Sequence, residues 1–442
     1  MLNPSQAVRL GKVKPAGGRR EGARYPRPVP VQGAGSGARR LEAVDAEEPL
    51  RVLEALRHAL SGEGPAIAPL ARGEGPAGLG PLPERVPGEV SVVVTTSGST
   101  GTPKRVALSA AALLASARAA QPVLGGPGRW LLALPAQLVS GLQVLVRSLV
   151  AGTEPVVLAG PRFDAQAFLG AAEAAAGMAA GAPRPYTSLV PVQLADLVRI
   201  GEADPRAAAV LRRFGAFLIG GQRLEPPLRE RAESLGLRVV QSYGSTETGG
   251  GCVYDGRPLH GVQARIAGGE ILLAGPTLAL GYLGEEERTA AAFVHEQGRR
   301  WYRTGDAGAL AADGRLMVTG RLDNVLVSGG TNVSLDAVES LVHEHPGFAQ
   351  AVVVAAPHTR WGQAPVVAVE RGALTAAGIL EGAAELPALR SRVAGRLGRA
   401  AQPDRILVLE RLPRLPGDKP DRAMLATLAS APGPEEHDPA GE

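Results

Sequence analysis

The chain reads as an α/β protein: a large N-terminal domain of mixed α/β sheets with a barrel-like β subdomain, then a small α+β C-terminal domain. Three observations predict it. From Val90 to about Gly249, apolar β-branched runs alternate with stretches of helical spacing, the mark of a sheet covered on both faces. After Gly249 the strand signals shorten and are separated by Gly-Gly, Asp-Gly and Gly-Pro turns, as in an antiparallel barrel. From Leu335 onward, helix and strand alternate again.

In chain order, ordered sequence is expected from Ala43. Residues 50–60 have helical apolar spacing, and 62–88 form a Gly/Pro-rich connector. Val90-Ser91-Val92-Val93-Val94 is a buried strand, and 107–121 a helix. Strands at 130–134 and 154–158 flank a helix at 141–151, and an alanine-rich helix covers 163–180. A strand at 186–190 leads into a helix at 191–200. Strands at 214–219 and 237–241 flank a helix at 226–235. The β-rich part has strands at 262–266, 270–273, 307–310 and 316–319, and the last domain ends near Leu428. The expected division is a basic disordered tail over 1–42, a large domain over 43–322, a small domain over 323–430 and a polar disordered tail over 431–442. No internal repeat is visible.

The bulk numbers exclude several classes. At 442 residues with 45% hydrophobic and 20% charged content, the chain can bury a large core. A net charge of +4 is small for this length, and 3% aromatic content leaves few platforms for stacking bases, so nucleic acid is not an expected partner. The single cysteine, Cys252, rules out an intramolecular disulfide and fits a reducing cytoplasm. No apolar stretch is long enough to span a bilayer, so stable membrane insertion is not expected. Two readings of the Arg/Gly/Pro-rich start stand side by side: a basic tail, or a misassigned start codon.

Four segments have the residues of a reactive site. Thr95-Thr96-Ser97-Gly98-Ser99-Thr100-Gly101-Thr102-Pro103-Lys104 follows the first apolar strand. Glycines let backbone N–H groups approach oxygens, hydroxyls donate hydrogen bonds and lysine supplies charge, which suits phosphate. The loop lacks the Gly-Lys-Ser/Thr ending of a Walker motif. Ser242-Tyr243-Gly244-Ser245-Thr246-Glu247-Thr248 follows Arg238-Val239-Val240 and should sit at a strand's carboxyl end, where open α/β sheets bind ligands. There Tyr243 can stack a base, Thr246 bond a phosphate and Glu247 hold Mg²⁺; a turn with an exposed acid is the alternative. Trp301-Tyr302-Arg303-Thr304-Gly305-Asp306 and Gly320-Arg321-Leu322-Asp323 offer an aspartate for ribose hydroxyls and an arginine for sugar or phosphate, or else a surface ion pair. Leu412 to Arg422 is a Pro/Gly loop bearing Lys419, which by itself means a solvated charge.

Taken in order, these segments resemble those of the adenylate-forming ligases, the superfamily of acyl- and aryl-CoA ligases. The resemblance runs from about Val90 to Arg422. Ser188-Leu189-Val190-Pro191-Val192-Gln193-Leu194 and the stretch from Glu247 to Leu259 are similar to the actinobacterial type of 2-succinylbenzoate–CoA ligases of menaquinone biosynthesis. Trp130-Leu131-Leu132-Ala133-Leu134-Pro135 and Leu142-Gln143-Val144-Leu145-Val146-Arg147-Ser148-Leu149 add to that likeness.

The resemblance implies the following roles. Thr96, Ser97, Gly98, Ser99, Thr100, Gly101 and Lys104 close over the β- and γ-phosphates of ATP. Gly220, Gly221 and Gln222 line the adenine pocket, with Tyr243 against the ring and Ser242 and Gly244 beside it in the nucleotide site. Thr246 contacts the α-phosphate, Glu247 holds Mg²⁺, and Asp306 and Arg321 bind the ribose. Asp323 is the hinge to a mobile small domain, Lys419 the adenylation lysine. Gly329 and Gly330 leave room for the pantetheine arm of CoA, or only make a tight turn. The implied cofactors are ATP and Mg²⁺, with CoA as co-substrate and an aryl carboxylic acid as substrate. Gly249-Gly250-Gly251 is expected as a pocket wall. Arg147 and Arg223 are both candidates for a distal carboxylate, and oligomeric state is not readable.

Two positions depart from the superfamily pattern. Leu138 stands where histidine is common, and Asp418 where glycine directly precedes the lysine, close enough to neutralise Lys419 in part. Besides the leading reading, another aryl- or acyl-CoA ligase and a degenerate adenylate-binding protein remain open.

Overall fold

A computed structural model describes residues 37–71, 80–96, 103–160, 162–176, 183–415 and 417–431. The first sheet begins with β1 (Ala38–Asp45), β2 (Ala66–Leu70), β3 (Arg85–Pro87), β4 (Val90–Thr96) and β5 (Lys104–Ser109). In β4, Val92 and Val94 face one core while Val90 and Val93 face another, so the run of β-branched residues is apolar on both faces. A register irregularity between Val90 and Val92 sets that alternation.

Three expectations are corrected here. The strand β1 starts at Ala38, inside the stretch expected as tail. The connector at 62–88 contains β2 and β3, and β2 lies inside the sheet between β1 and β4. Its apolar run is only five residues long and is bounded by Gly and Pro, which hid it. Residues 107–109, read as the start of a helix, belong to β5, which pairs antiparallel with β4 from Thr96↔Lys104 to Val90↔Ser109. The helix begins only at Ala110 and runs to Leu124, with the Ser109 hydroxyl accepting from Ala112 N at 3.1 Å. The Ser/Thr/Gly loop therefore joins two antiparallel strands, not a strand and a helix.

The second sheet comprises β6 (Arg129–Leu132), β7 (Val156–Val157), β8 (Pro185–Leu189), β9 (Ala216–Ile219), β10 (Val239–Ser245), β11 (Gly250–Tyr254) and β12 (Arg257–Pro258). Its order is β12-β11-β10-β9-β8-β6-β7, parallel from β10 to β7. Helices at Val139–Ala151, Ala165–Ala176, Pro191–Ala203, Pro205–Leu211 and Pro226–Ser234 accompany it. The expected helix at 163–180 is described as far as Ala176; 177–180 lie outside the described residues. One continuous core joins the first and second sheets through Leu113, Leu142, Leu145, Trp130 and Tyr186. By about 25 cal/mol for each Å² of apolar surface buried, each such side chain contributes about 1.5–3 kcal/mol.

The β-rich part contains β13 (Gln263–Ala267), β14 (Glu270–Ala274), β15 (Gly281–Tyr282), β16 (Phe293–Glu296), β17 (Arg299–Leu310) and β18 (Leu316–Arg321). β15 leaves it to pair with β5 in the first sheet. The other five curl as a half-barrel ordered β13-β14-β17-β16, with β18 also on β17. The small domain has β19 (Val325–Ser328), β20 (Thr331–Ser334), β21 (Val352–His358), β22 (Gly362–Glu370) and β23 (Arg405–Leu409). Alternation along β21 puts Val353 in one core with the helix Leu335–His343, and Val352 and Val354 in another with the helix Arg422–Ser430.

Candidate active site

β9 and β10 are parallel neighbours, so their carboxyl ends open side by side. Gly220, Gly221 and Gln222 follow β9, and Ser242 to Ser245 end β10. A Cβ on Gly220 would stand 3.3 Å from Ser242 O, which explains the bare backbone there. Across the crevice, Asp306 lies on β17 directly opposite Arg321 on β18. The Tyr243 hydroxyl donates to Asp306 Oδ2 at 2.6 Å, and Arg321 Nη1 donates to Asp306 Oδ1 at 3.0 Å. Burial raises the Asp306 pKa above its ordinary value despite Tyr243 and Arg321, and burial beside Asp306 pushes the Tyr243 phenol well up. Arg321 also holds Asp323 in a fork, Nε to Oδ1 and Nη2 to Oδ2, each at 2.9 Å. One guanidinium therefore joins the expected ribose acid to the expected hinge residue.

Glu247 lies in the short 3₁₀ turn Thr246–Thr248 after β10 and is buried. Its Oε1 accepts from the Lys104 ammonium and from the Tyr282 hydroxyl, the latter at 3.0 Å. Burial alone would raise the Glu247 pKa, but the charge and hydrogen bond of Lys104 hold it below the ordinary carboxylate range. Tyr282 was not singled out in the sequence. Only the pairing of β15 with β5, Tyr282 opposite Val106, brings it beside Lys104, and no local pattern announces that.

Lys419 comes from the small domain and reaches the same crevice. A Cβ on Gly221 would stand 3.4 Å from Lys419 Cε. Loss of surrounding water lowers the Lys419 pKa, and Glu247 pulls it back up. Asp418, directly before the lysine, has φ +60, a left-handed conformation that aspartate tolerates better than most residues. Its carbonyl accepts from Gln222 Nε2 at 3.4 Å and from Arg414 Nη1 at 3.0 Å.

Gly249 to Gly251, the stretch expected as a pocket wall, leads into β11 against β10. Gln143 Nε2 donates to Gly249 O at 2.7 Å, and a Cβ on Gly250 would press Gln143 Cγ at 3.1 Å. The two arginine candidates now separate. Arg147 is 3% exposed; Nη1 donates to Ser188 Oγ at 3.4 Å, Nη2 to the Tyr254 hydroxyl at 3.1 Å, and the group lies 5.0 Å from the Trp130 ring centroid. Its Nε has no acceptor, and no carboxylate pairs with it, among the described residues. Arg223 is exposed and bonds Ser340 Oγ at 3.1 Å and Glu225 at 3.5 Å.

Thr96 and Lys104 bracket the phosphate loop as paired strand residues. Ser97, Gly98, Ser99, Thr100 and Gly101 lie outside the described residues. Gly329 and Gly330, at φ +54 and +81, form the two-residue turn of the β19–β20 hairpin. Gly329 N bonds Trp361 O at 3.0 Å, and none of the described contacts joins either glycine to the crevice. No group of three potential metal ligands occurs among the described residues.

The sequence matches a family model described as "AMP-binding enzyme" over residues 36–283 and another described as "AMP-binding enzyme C-terminal domain" over 337–419. The chain therefore belongs to the AMP-binding enzyme family. It is 41% identical over 379 residues, 85% of this chain and 94% of the relative, to a probable 2-succinylbenzoate–CoA ligase of Mycobacterium tuberculosis. It superposes on the o-succinylbenzoate CoA synthetase of Bacillus subtilis bound to the acyl-adenylate intermediate, with TM-score 0.63 and 28% identity over 78% of this chain and 70% of that one. The same enzyme in complex with ATP and a magnesium ion gives TM-score 0.63 and 28% identity, covering 78% and 72%.

Proposed function

We propose that this chain is an AMP-forming acid–thiol ligase of menaquinone biosynthesis that works in the cytoplasm. It activates 2-succinylbenzoate with ATP and transfers the acyl group to CoA, giving 2-succinylbenzoyl-CoA, AMP and pyrophosphate. The observation that supports this most is Lys419 of the small domain entering the crevice that holds Glu247, Tyr243, Asp306 and Arg321. The sequence likeness to 2-succinylbenzoate–CoA ligases supports the choice of acid.

In this reading a substrate carboxylate oxygen attacks the α-phosphorus of ATP, the bond to the bridging oxygen breaks and pyrophosphate leaves. Anion meets anion in that step, so positive charge must be supplied where charge accumulates. Lys419 supplies it at the α-phosphate with Thr246, while Thr96, Lys104 and the 97–102 loop hold the departing pyrophosphate. Tyr243 and the Gly220-Gly221-Gln222 edge hold the adenine; Asp306 and Arg321 hold the ribose. Glu247 fits Mg²⁺, which takes one or two carboxylates together with phosphate oxygens and water. When bound, the ion neutralises phosphate charge. The thiol of CoA then attacks the acyl carbon and AMP leaves, after the small domain turns about Asp323 to present Gly329 and Gly330.

Arg147 is the reader of the distal carboxylate. A buried guanidinium that meets only hydroxyls and a ring calls for an anion. Arg223, exposed and engaged with Ser340 and Glu225, has no such need. Pyrophosphate release with a panel of carboxylic acids, with and without CoA, tests the whole reading. Release with benzoate or fatty acids but not with 2-succinylbenzoate would overturn the choice of acid. No release with any acid would overturn the ligase.

A further inference from the structure

Three consecutive residues of the lysine loop each meet a different part of the large domain. Lys419 lies against Gly221, and the Asp418 carbonyl accepts from Gln222. Gly417 is seated on Leu138: a Cβ there would stand 2.5 Å from Leu138 Cδ1. The backbone of Leu138 is held in place. It caps the helix Val139–Ala151, its N–H bonds Pro135 O at 3.2 Å, and its carbonyl accepts from Leu142 N at 2.9 Å. Gly417 has φ +85, and Leu415 N donates to Lys419 O at 2.7 Å, closing the loop around it. The loop thus has the Leu138 methyl on one side and a residue without a side chain facing it.

We propose that Leu138 and Gly417 form the seat that positions Lys419 for adenylate formation, making Leu138 a positioning residue for the first half-reaction. The lysine's reach along the crevice is set by where the loop backbone stops, and the loop stops where Gly417 touches Leu138. A side chain in that gap must either turn the Leu138 methyl aside or push the loop backbone back, and the second displaces the ammonium from its target. Displacements of this kind cost about 100-fold in rate where positioning controls catalysis. The seat exists only while the small domain is docked as described, so it has no part in the step that follows the domain turn.

The proposal rests on the ligase reading above, and its test separates the two. Pyrophosphate-linked adenylate formation and thioester formation from synthetic acyl-adenylate plus CoA are measured on each variant. Gly417→Ala should slow adenylate formation about 100-fold and leave thioester formation within about threefold. Because alanine at φ +85 is strained in its own right, Leu138→Phe closes the gap from the opposite side and should give the same split. Leu138→Ala combined with Gly417→Ala should recover at least about tenfold over Gly417→Ala alone, since the wall that alanine meets is gone. Equal losses in both half-reactions, or no recovery in the double variant, would overturn the seat. Amide hydrogen exchange over 413–420 reads the same contact without turnover and should quicken in Leu138→Ala. If the unaltered protein forms no adenylate with any acid while that exchange responds, the ligase reading falls and the seat stands. Unchanged exchange removes the seat whatever the activity.

Discussion

His343 of the small domain and Glu225 of the large domain meet at the domain boundary, Nδ1 to Oε1 at 3.3 Å. The other ring nitrogen, Nε2, lies 2.7 Å from the Ala351 carbonyl oxygen. Both nitrogens thus face acceptors, and only the imidazolium donates to both. Burial pulls the His343 pKa down, yet the bond to Glu225, the charge of Glu339 and the Ala351 carbonyl together raise it above its ordinary value. Burial pushes Glu225 up, but His343 and Arg223 bring it below the ordinary carboxylate range.

This pair predicts a pH window for the docked arrangement. A raised histidine contributes fully below its ordinary value and is lost as pH rises through the raised one. A lowered carboxylate contributes above its ordinary value and is lost as pH falls through the lowered one. Docking is therefore strongest between the ordinary Glu value and the ordinary His value and fades above the raised His343 pKa. Adenylate formation relative to thioester formation should decline as pH rises through the raised His343 pKa, and His343→Gln should flatten that decline. A pH profile of the two half-reactions checks it; an unchanged slope in the variant would count against the pair.

Lys419→Ala should slow adenylate formation by about 3–5 kcal/mol of transition-state stabilisation, roughly two to four orders of magnitude. Thioester formation from supplied adenylate should change far less. Stopped-flow or radiolabel exchange on each half-reaction distinguishes this from a general loss of folding.

Arg147→Met should weaken 2-succinylbenzoate binding by about 2–3 kcal/mol, the scale of a charge-assisted hydrogen bond, and leave benzoate binding nearly unchanged. The variant also removes a buried charge that meets no carboxylate among the described residues, so its thermal midpoint should not fall. Calorimetric titration with both acids and a melting curve give the two readings. Equal weakening for both acids would remove Arg147 from the distal site.

Cys252 is fully enclosed, and burial pushes its thiol up to about 12. The folded protein should therefore resist iodoacetamide at pH 8 and react only after denaturation. Mass spectrometry of the alkylated peptide tests this directly. Fast labelling of native protein would mean that β11 opens.

Much of the site could be read from local chemistry. Val90 to Val94 announces a doubly buried strand by its branching, and Tyr243, Glu247, Asp306 and Arg321 stand in motifs whose residue types suit phosphate, ribose and metal, whereas Lys419 gains its meaning only from the order of the segments around it. The strand Lys104–Ser109 could not be read. Ala107 begins a stretch of good helix formers, and only pairing with β4 makes its first residues extended. The strand Ala66–Leu70 was hidden for a related reason: five residues between Gly and Pro gain strand stability only from the neighbours they bury against.

The sequence by itself determined the class of fold, the order of the reactive segments and the residue types available to each, because these depend on local pattern and spacing. Tertiary structure alone decided which groups meet. Arg147 rather than Arg223 is buried against hydroxyls and a ring, Tyr282 rests on Glu247, Gly417 on Leu138 and His343 on Glu225. Each of these contacts joins residues far apart in the chain. Their positions follow from strand order and domain docking, which summed burial determines and no single stretch of sequence encodes.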